Sequence, residues 1–381
     1  MIVKKIYHQG EEVNKILDSY GNIVFQKTAE MTNDIRFHTK SSVNSVNYFT
    51  VYYTDGTQKD MKYSEPNKEY VFPIPTDKTV NNINFGTSNI DEVTVSCKIK
   101  LSSGLFNSKP STIRLLTCDA TESNNLTNSF QHMVSPHLVE IRNLDAMNAT
   151  GMTSLFTDSY NIQKIVMRDL NVSKVTDMAY MFNKCSGATT IDIANWDTSS
   201  VTNLSNAFHY CNNVKALDLS SWTTINVTNM RLMFAYCNAL TSLDLSGWDT
   251  SKVTDMYSMF TNCGNITSLD LSSWRPTSVS NMGSMFEWCS GLISLDLSGW
   301  GHLDKYCELS YMFKKCSSLT SLDISGWDMS DCQWRYMNYV FYGCESLKTI
   351  RMVGCNSSTI SKINSLLSDA KISGQVTIIT E

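Results

Sequence analysis

Residues 233–256 read MFAYCNALTSLDLSGWDTSKVTDM, and the chain keeps returning to this phrase. Phe182, Phe208, Phe234, Phe260 and Phe286 are spaced by 26 residues. So are Cys185, Cys211, Cys237, Cys263 and Cys289, and so are Trp196, Trp222, Trp248, Trp274 and Trp300. A fixed period of this size marks a stacked repeat protein, because one such unit cannot bury its own apolar face.

Each repeat divides in two. In Ser242-Leu243-Asp244-Leu245-Ser246 apolar and polar residues alternate, the pattern of a half-buried strand with both leucines inward. In residues 253–263 the apolar positions fall at Val253, Met256, Met259, Phe260 and Cys263. That spacing predicts the inner face of a helix of about three turns, with Asp249, Thr250 or Ser251 capping it. Stacking then gives a parallel sheet on one side, helices on the other and a continuous core of Leu, Met, Phe and Cys columns. The expected fold class is an α/β repeat solenoid preceded by a small antiparallel β domain.

The grid extends in both directions. Phe130 and Phe156 lie on it, followed by Val139 to Ile141 and Ile165 to Met167, but these early copies lack the Cys and the Trp. An end repeat faces solvent on one side and its consensus drifts. Cys316 and Cys344 continue the ladder at spacings of 27 and 28. Residues 360–380 supply a closing repeat. The expected organisation is therefore residues 1–28 as an attachment segment, 29–104 as a small β-sandwich and 105–381 as the solenoid with worn ends. In the first segment, residues 3–8, 13–17 and 23–26 read as short strands. In the second, Thr54-Asp55-Gly56-Thr57 between β-rich runs is a hairpin signal.

At this point a resemblance can be stated. LDLSGWDTSKVTDMYSMF, residues 243–260, resembles the BspA-type leucine-rich repeat of surface proteins from mycoplasmas, oral and gut bacteria and some parasitic protists. It covers about residues 125–355. It implies a curved β/α solenoid and adhesion to host proteins or other cells. Two departures stand out: no secretion or lipid-attachment signal is read at the start, and the last repeats, around Trp300–Cys316 and Asp328–Cys344, are lengthened. The opening phrase IYHQGEEVNKILDSYGNIVFQK, residues 6–27, resembles N-terminal segments of tail and other virion proteins of gut bacteriophages, or is a plain hairpin.

The totals narrow the partners. With 31 basic and 36 acidic residues and no basic block, a nucleic-acid partner is not expected. No apolar run of about 18 residues suggests membrane insertion. Of 12 Cys, seven mark the repeat and read as reduced core thiols; a local disulfide or a metal site are the other readings. The Trp column reads as a corner plug, with a sugar-binding strip as the alternative. The six His do not repeat, and no catalytic, cofactor or metal motif is present. His209 beside a ladder Cys is the one nucleophile–base pairing to consider.

Two sets of residues are candidates for a binding surface. The first varies from repeat to repeat: Tyr210, Tyr236 and Trp288 just before the ladder Cys, and Tyr180, Arg231, Tyr257, Tyr311 and Tyr339 early in the expected helix. Exposed Tyr, Trp and Arg anchor interfaces, although aromatics there also pack between repeats. The second is the outward Asp column, Asp192, Asp218, Asp244, Asp270, Asp296 and Asp323. Like charges about 4.8 Å apart repel by roughly 1 kcal/mol per pair in high dielectric. Ser and Thr hydroxyls or backbone amides offset this, or a hard cation does, or two of the acids are catalytic; at least some raised pKa values are expected. The functional expectation is a non-enzymatic phage virion protein of the tail-fibre, baseplate or head-fibre class. Its N-terminal region would meet other virion proteins, its repeats a host surface protein or glycan, and it could form a homotrimer. The alternatives are a BspA-like bacterial surface adhesin and a glycan-acting enzyme using the Asp column.

Overall fold

The computed structural model describes residues 31–41, 43, 47–84, 90–101, 110–133 and 135–381, with the backbone of four short strands before them. Tyr7–His8 pairs with Glu11–Glu12 and Lys15–Leu17 with Ile23–Gln26, both antiparallel; the expected turns between them lie outside the described residues.

Two sheets face each other in residues 31–101. One has the order Gln58–Tyr63, Asn47–Tyr53, Val80–Asn84. Its hairpin turns at Gly56, whose φ of 84° is the left-handed value that Asp-Gly supplies at low cost. The other contains Glu69–Pro73, Asp34–Thr39 and Ile90–Ser96. Phe49 from the first sheet meets Phe37 and Phe72 from the second at 4.9 and 5.2 Å between ring centres, and this aromatic contact fills the layer between them. Ile90–Ser96 then pairs in parallel with Thr112–Asp119, so the second sheet runs on through Leu138–Asp145, Lys164–Val166 and Thr190–Asp192. The antiparallel unit thus covers the first edge of the repeats.

From there the chain winds as a parallel β-solenoid of about ten turns. Its Phe column is stacked from Phe130 to Phe341, and Leu, Met, Cys and Trp pack beside it in one core that is continuous with the antiparallel unit. A second parallel sheet joins Ser268–Asp270, Ser294–Asp296, Ser321–Asp323, Thr349–Arg351 and Thr377–Ile379, pairing Leu269 with Leu295 and Leu295 with Leu322.

The expected helix in each repeat does not form. Residues 253–263 and their equivalents are linked β-turns. Within a coil, Met259 N–H donates to the Met256 carbonyl, Thr261 to Ser258 and Cys263 to Phe260. The amides in between leave the coil: Met256, Ser258, Phe260 and Asn262 donate to Asn281, Gly283, Met285 and Glu287 of the next. A helix would keep all of them at home. Two residues per coil, here Ser258 and Asn262, carry φ of 54° and 60°, which breaks any helical path. Asp255 also favours the turn, because its Oδ1 accepts the Tyr257 amide at 2.9 Å. Turns sharing residues place side chains inward at nearly the same intervals as a helix does, so the apolar spacing fits both.

The one α-helix among the described residues closes the stack. Ser357–Asp369 is capped by Asn356, whose side chain accepts the Thr359 amide at 2.8 Å. It buries Ile363, Leu366 and Leu367 over the last coil.

Candidate functional site

Each coil presents a turn side and a strand side, with the core between them. The turn side is built on left-handed residues. Tyr180, Asn206, Leu232, Ser258, Ser284, Tyr311 and Tyr339 form one column, with φ of 54–64°. Lys184, Tyr210, Tyr236, Asn262, Trp288 and Lys315 form a second at 59–63°, ending at Gly343. A non-glycine residue there costs about 1–2 kcal/mol. Because the conformation recurs in every coil, it belongs to the scaffold, and the inter-coil bonds offset it. The side chains on these positions are free to differ.

The variable residues named from the sequence resolve into distinct columns. Tyr180, Tyr311 and Tyr339 occupy the first column and Tyr210, Tyr236 and Trp288 the second. Arg231 and Tyr257 stand one place before the first, in consecutive coils, with the guanidinium 4.2 Å from the ring centre and 3.7 Å from Asp255. Tyr210 stacks on Tyr236 at 4.3 Å, and Tyr311 on Tyr339 at 5.6 Å. Each pair therefore spends part of its surface on packing between coils. Tyr180, Trp288 and Tyr339 stand out more, at 43, 46 and 60% exposure.

His209 lies beside Tyr210, its Nδ1 3.1 Å from Asn183 Oδ1. Desolvation, with the Lys184 charge, pushes its pKa down to about 4, so the ring is neutral at neutral pH. The thiols cannot serve it as a nucleophile. Cys211 donates to the Phe182 carbonyl at 3.2 Å and Cys237 to Phe208 at 3.1 Å. The same bond repeats at Cys185, Cys263, Cys289, Cys316 and Cys344. Burial pushes Cys289 and Cys344 up to about 12 and holds Cys211 and Cys237 well above the ordinary thiol range. Ser159, 26 residues before Cys185, makes the same bond to Phe130 at 3.1 Å. The early copy does lack the Cys, as its sequence shows, and Ser159 stands in the thiol's place on the grid.

The Trp column is core. Trp196, Trp274 and Trp300 are fully buried, and the indoles of Trp196, Trp274 and Trp327 donate to carbonyls of the preceding coil at 2.7–3.2 Å. A sugar strip on these rings is thereby ruled out.

The Asp column occupies the strand side, away from the turn columns, so the two candidate sets do not form one site. Asp218, Asp244 and Asp270 each accept the amide and the hydroxyl of the Ser two residues on, the hydroxyl at 2.7 Å. Asp296 accepts the Ser298 amide at 2.8 Å. At the ends Asp192 and Asp323 face Arg168 and Arg351 at 3.2 and 3.4 Å. The expectation of raised pKa values is overturned for Asp218, Asp244 and Asp270. The Ser hydroxyl and amide bonds lower them, and desolvation opposes only weakly. The Asp244 charge beside Asp270 is the smallest influence on it. Hydrogen bonding to the ionised form outweighs like-charge repulsion when the groups face water.

Among the described residues, no grouping of His, Cys, Asp and Glu has the makings of a metal site, and no helix is long and apolar enough to cross a membrane. No curated protein sequence matches the chain. One family does, described as "Mycoplasma protein of unknown function, DUF285", and it matches three times, over residues 124–216, 202–306 and 270–377. These spans cover the solenoid, coil upon coil, and the chain belongs to the DUF285 family of BspA-like repeat proteins.

Proposed function

We propose that the chain is a non-enzymatic recognition scaffold that binds a macromolecular partner through its turn side. One observation carries this reading: a turn-side backbone that recurs coil after coil presents side chains that vary along each column, among them the exposed Tyr180, Trp288 and Tyr339. Exposed Trp and Tyr on a rigid support give contact area at low entropic cost. The test is binding of the fluorescently labelled chain to bacterial and epithelial cells. Trp288→Ala and Tyr339→Ala each weaken capture about tenfold. Unchanged capture in the double variant rejects the reading.

On the phage reading, which rests on the resemblance of residues 6–27 alone, the N-terminal region sits on other virion proteins and the antiparallel unit holds the chain as a homotrimer. The family match supports a bacterial surface adhesin equally. Electron microscopy of particles labelled at residues 1–28 separates them: label on virions selects the first, and label confined to cell surfaces the second. Asp218, Asp244 and Asp270, each hydrogen-bonded to a Ser that holds it below the usual carboxylate range, support a structural role over a catalytic one. Glycan turnover that disappears in a folded Asp244→Asn/Asp270→Asn variant would restore the enzyme reading.

A further inference from the structure

The lengthened coil between Asp328 and Cys344 is held in an unusual way. The Met329 amide donates to Thr359 Oγ1 at 2.8 Å. The buried Lys362 ammonium donates to the Met329 and Ser330 carbonyls at 2.5 and 2.8 Å. Asn356 donates to Asp328 Oδ1 at 2.6 Å. The closing helix thus clamps the root of the insertion. Its tip is the 3-10 turn Trp334–Tyr336, none of whose residues is buried.

Between this tip, the last turns and the helix lies a cavity of about 350 Å³. Trp334, Tyr339 and Tyr342 form its walls, at 51, 60 and 47% exposure. The Tyr339 and Tyr342 rings stand at 89° with centres 5.9 Å apart. The buried Leu366 and Phe341 also line it, and Asn338 and Asp369 add polar atoms. The Asn338 amide nitrogen is held by the Arg335 carbonyl at 3.0 Å and the Ser310 hydroxyl at 3.3 Å, which turns its oxygen free to accept. Trp334 thus holds half of its surface out to solvent beside two crossed phenols.

We propose that this cavity binds a neutral saccharide, one or two pyranose rings of a surface glycan. This deepens the reading of the turn side as a recognition surface and rests on it, since Tyr339 belongs to both. A pyranose has an apolar C–H face and a rim of hydroxyls. The indole and phenol faces match the first, and the Asn338 oxygen, Asp369 carboxylate and phenol hydroxyls match the second. A cationic ligand fits worse. The cation position over Tyr342 is already filled by Lys315 Nζ at 5.3 Å, and Arg335 sits over the neighbouring Tyr336. The cavity is of the size that holds small ligands, about 300–1,000 Å³. Insertions in repeat proteins map to loops on one face, often the binding face.

The test uses the full chain on a printed array of hexose, N-acetylhexosamine and sialylated oligosaccharides. Neutral oligosaccharides are expected to bind. Fluorescence titration with the best of them shows Trp334→Ala at least about tenfold weaker and Trp334→Phe closer to the parent. Tyr48→Ala, an exposed aromatic of the antiparallel unit, leaves binding unchanged. Circular dichroism melting confirms that each variant is folded. A blank array, binding of only the sialylated oligosaccharides, or retention of neutral-sugar binding in Trp334→Ala would overturn the assignment. The array reports on the pocket and cell capture on the whole face, so a blank array with capture intact removes the saccharide alone.

Discussion

Successive coils are joined along two edges, and the edges are unlike. On the turn side at least four amides cross every interface: Met178, Tyr180, Phe182 and Lys184 donate to Asn203, Ser205, Ala207 and His209, the pattern holds from Leu126 to Lys315, and Thr202 donates back to Thr176. On the strand side the Met167 amide reaches Asp192 and the Leu297 amide reaches Asp323, but the equivalent bonds from Ile193, Leu219, Leu245 and Leu271 are not made. Residues 216–218 and 242–244 carry no strand. There the Trp222 and Trp248 indoles are buried without a partner, and Leu217 and Leu243 are 8 and 9% exposed against 3% for Leu295. The turn side is hydrogen-bonded throughout and holds the stack, and the strand side follows.

The largest effects should come from the turn side. Phe234→Ala opens a hole in the stacked column and should cost about 3–5 kcal/mol in denaturant unfolding. Leu243→Ala, in the open seam, should cost clearly less than Leu295→Ala; equal losses would mean the seam is closed in solution. A second effect places charge on the turn side. The folded pKa of His209 lies near 4, below its ordinary 6.5, so the unfolded chain takes the proton first. Stability is complete above about pH 6.5 and falls as the pH drops towards 4. The partly solvated ring limits this to about 1–2 kcal/mol, and His209→Gln should abolish it. Melting curves of the two proteins between pH 7 and 4 would decide; a parallel decline would assign the loss elsewhere. Third, Trp196→Phe should cost about 1 kcal/mol more than Trp248→Phe, because only Trp196 donates from its indole. Smallest is Cys237→Ser, expected within about 1 kcal/mol because Ser159 already makes that bond in the same place. A larger loss would mean that sulfur fills space oxygen cannot.

Much of this was legible beforehand, for a definite reason. Phe, Cys, Trp and Leu recur because each fills one place in a core that repeats, so the sequence period is the spatial period. Leu243 and Leu245 inward with Asp244 outward follows from alternation alone. The helix was misread because Val253, Met256, Met259, Phe260 and Cys263 suit linked turns as well as a helix, and the deciding fact, where the Ser258 and Asn262 amides go, lies in the next coil. One misreading led to another: Arg231 and Tyr257 were grouped with Tyr180, though they stand one column away. The open seam has no sequence signal, since Leu243-Asp244-Leu245 is identical to Leu269-Asp270-Leu271, which does form a strand. The lengthened repeat was visible as an irregularity, but Trp334 could be placed over the closing helix only once the coil was traced.

Hydrogen exchange resolved to single amides tests the two-edged stack most directly. The account predicts that Leu204, Asn206, Phe208 and Tyr210, and their equivalents in neighbouring coils, are protected to the limit set by global unfolding. The amides of Leu217, Leu219, Leu243 and Leu245 should exchange orders of magnitude faster in the same molecule. Uniform protection of both edges, or faster exchange on the turn side, would contradict it.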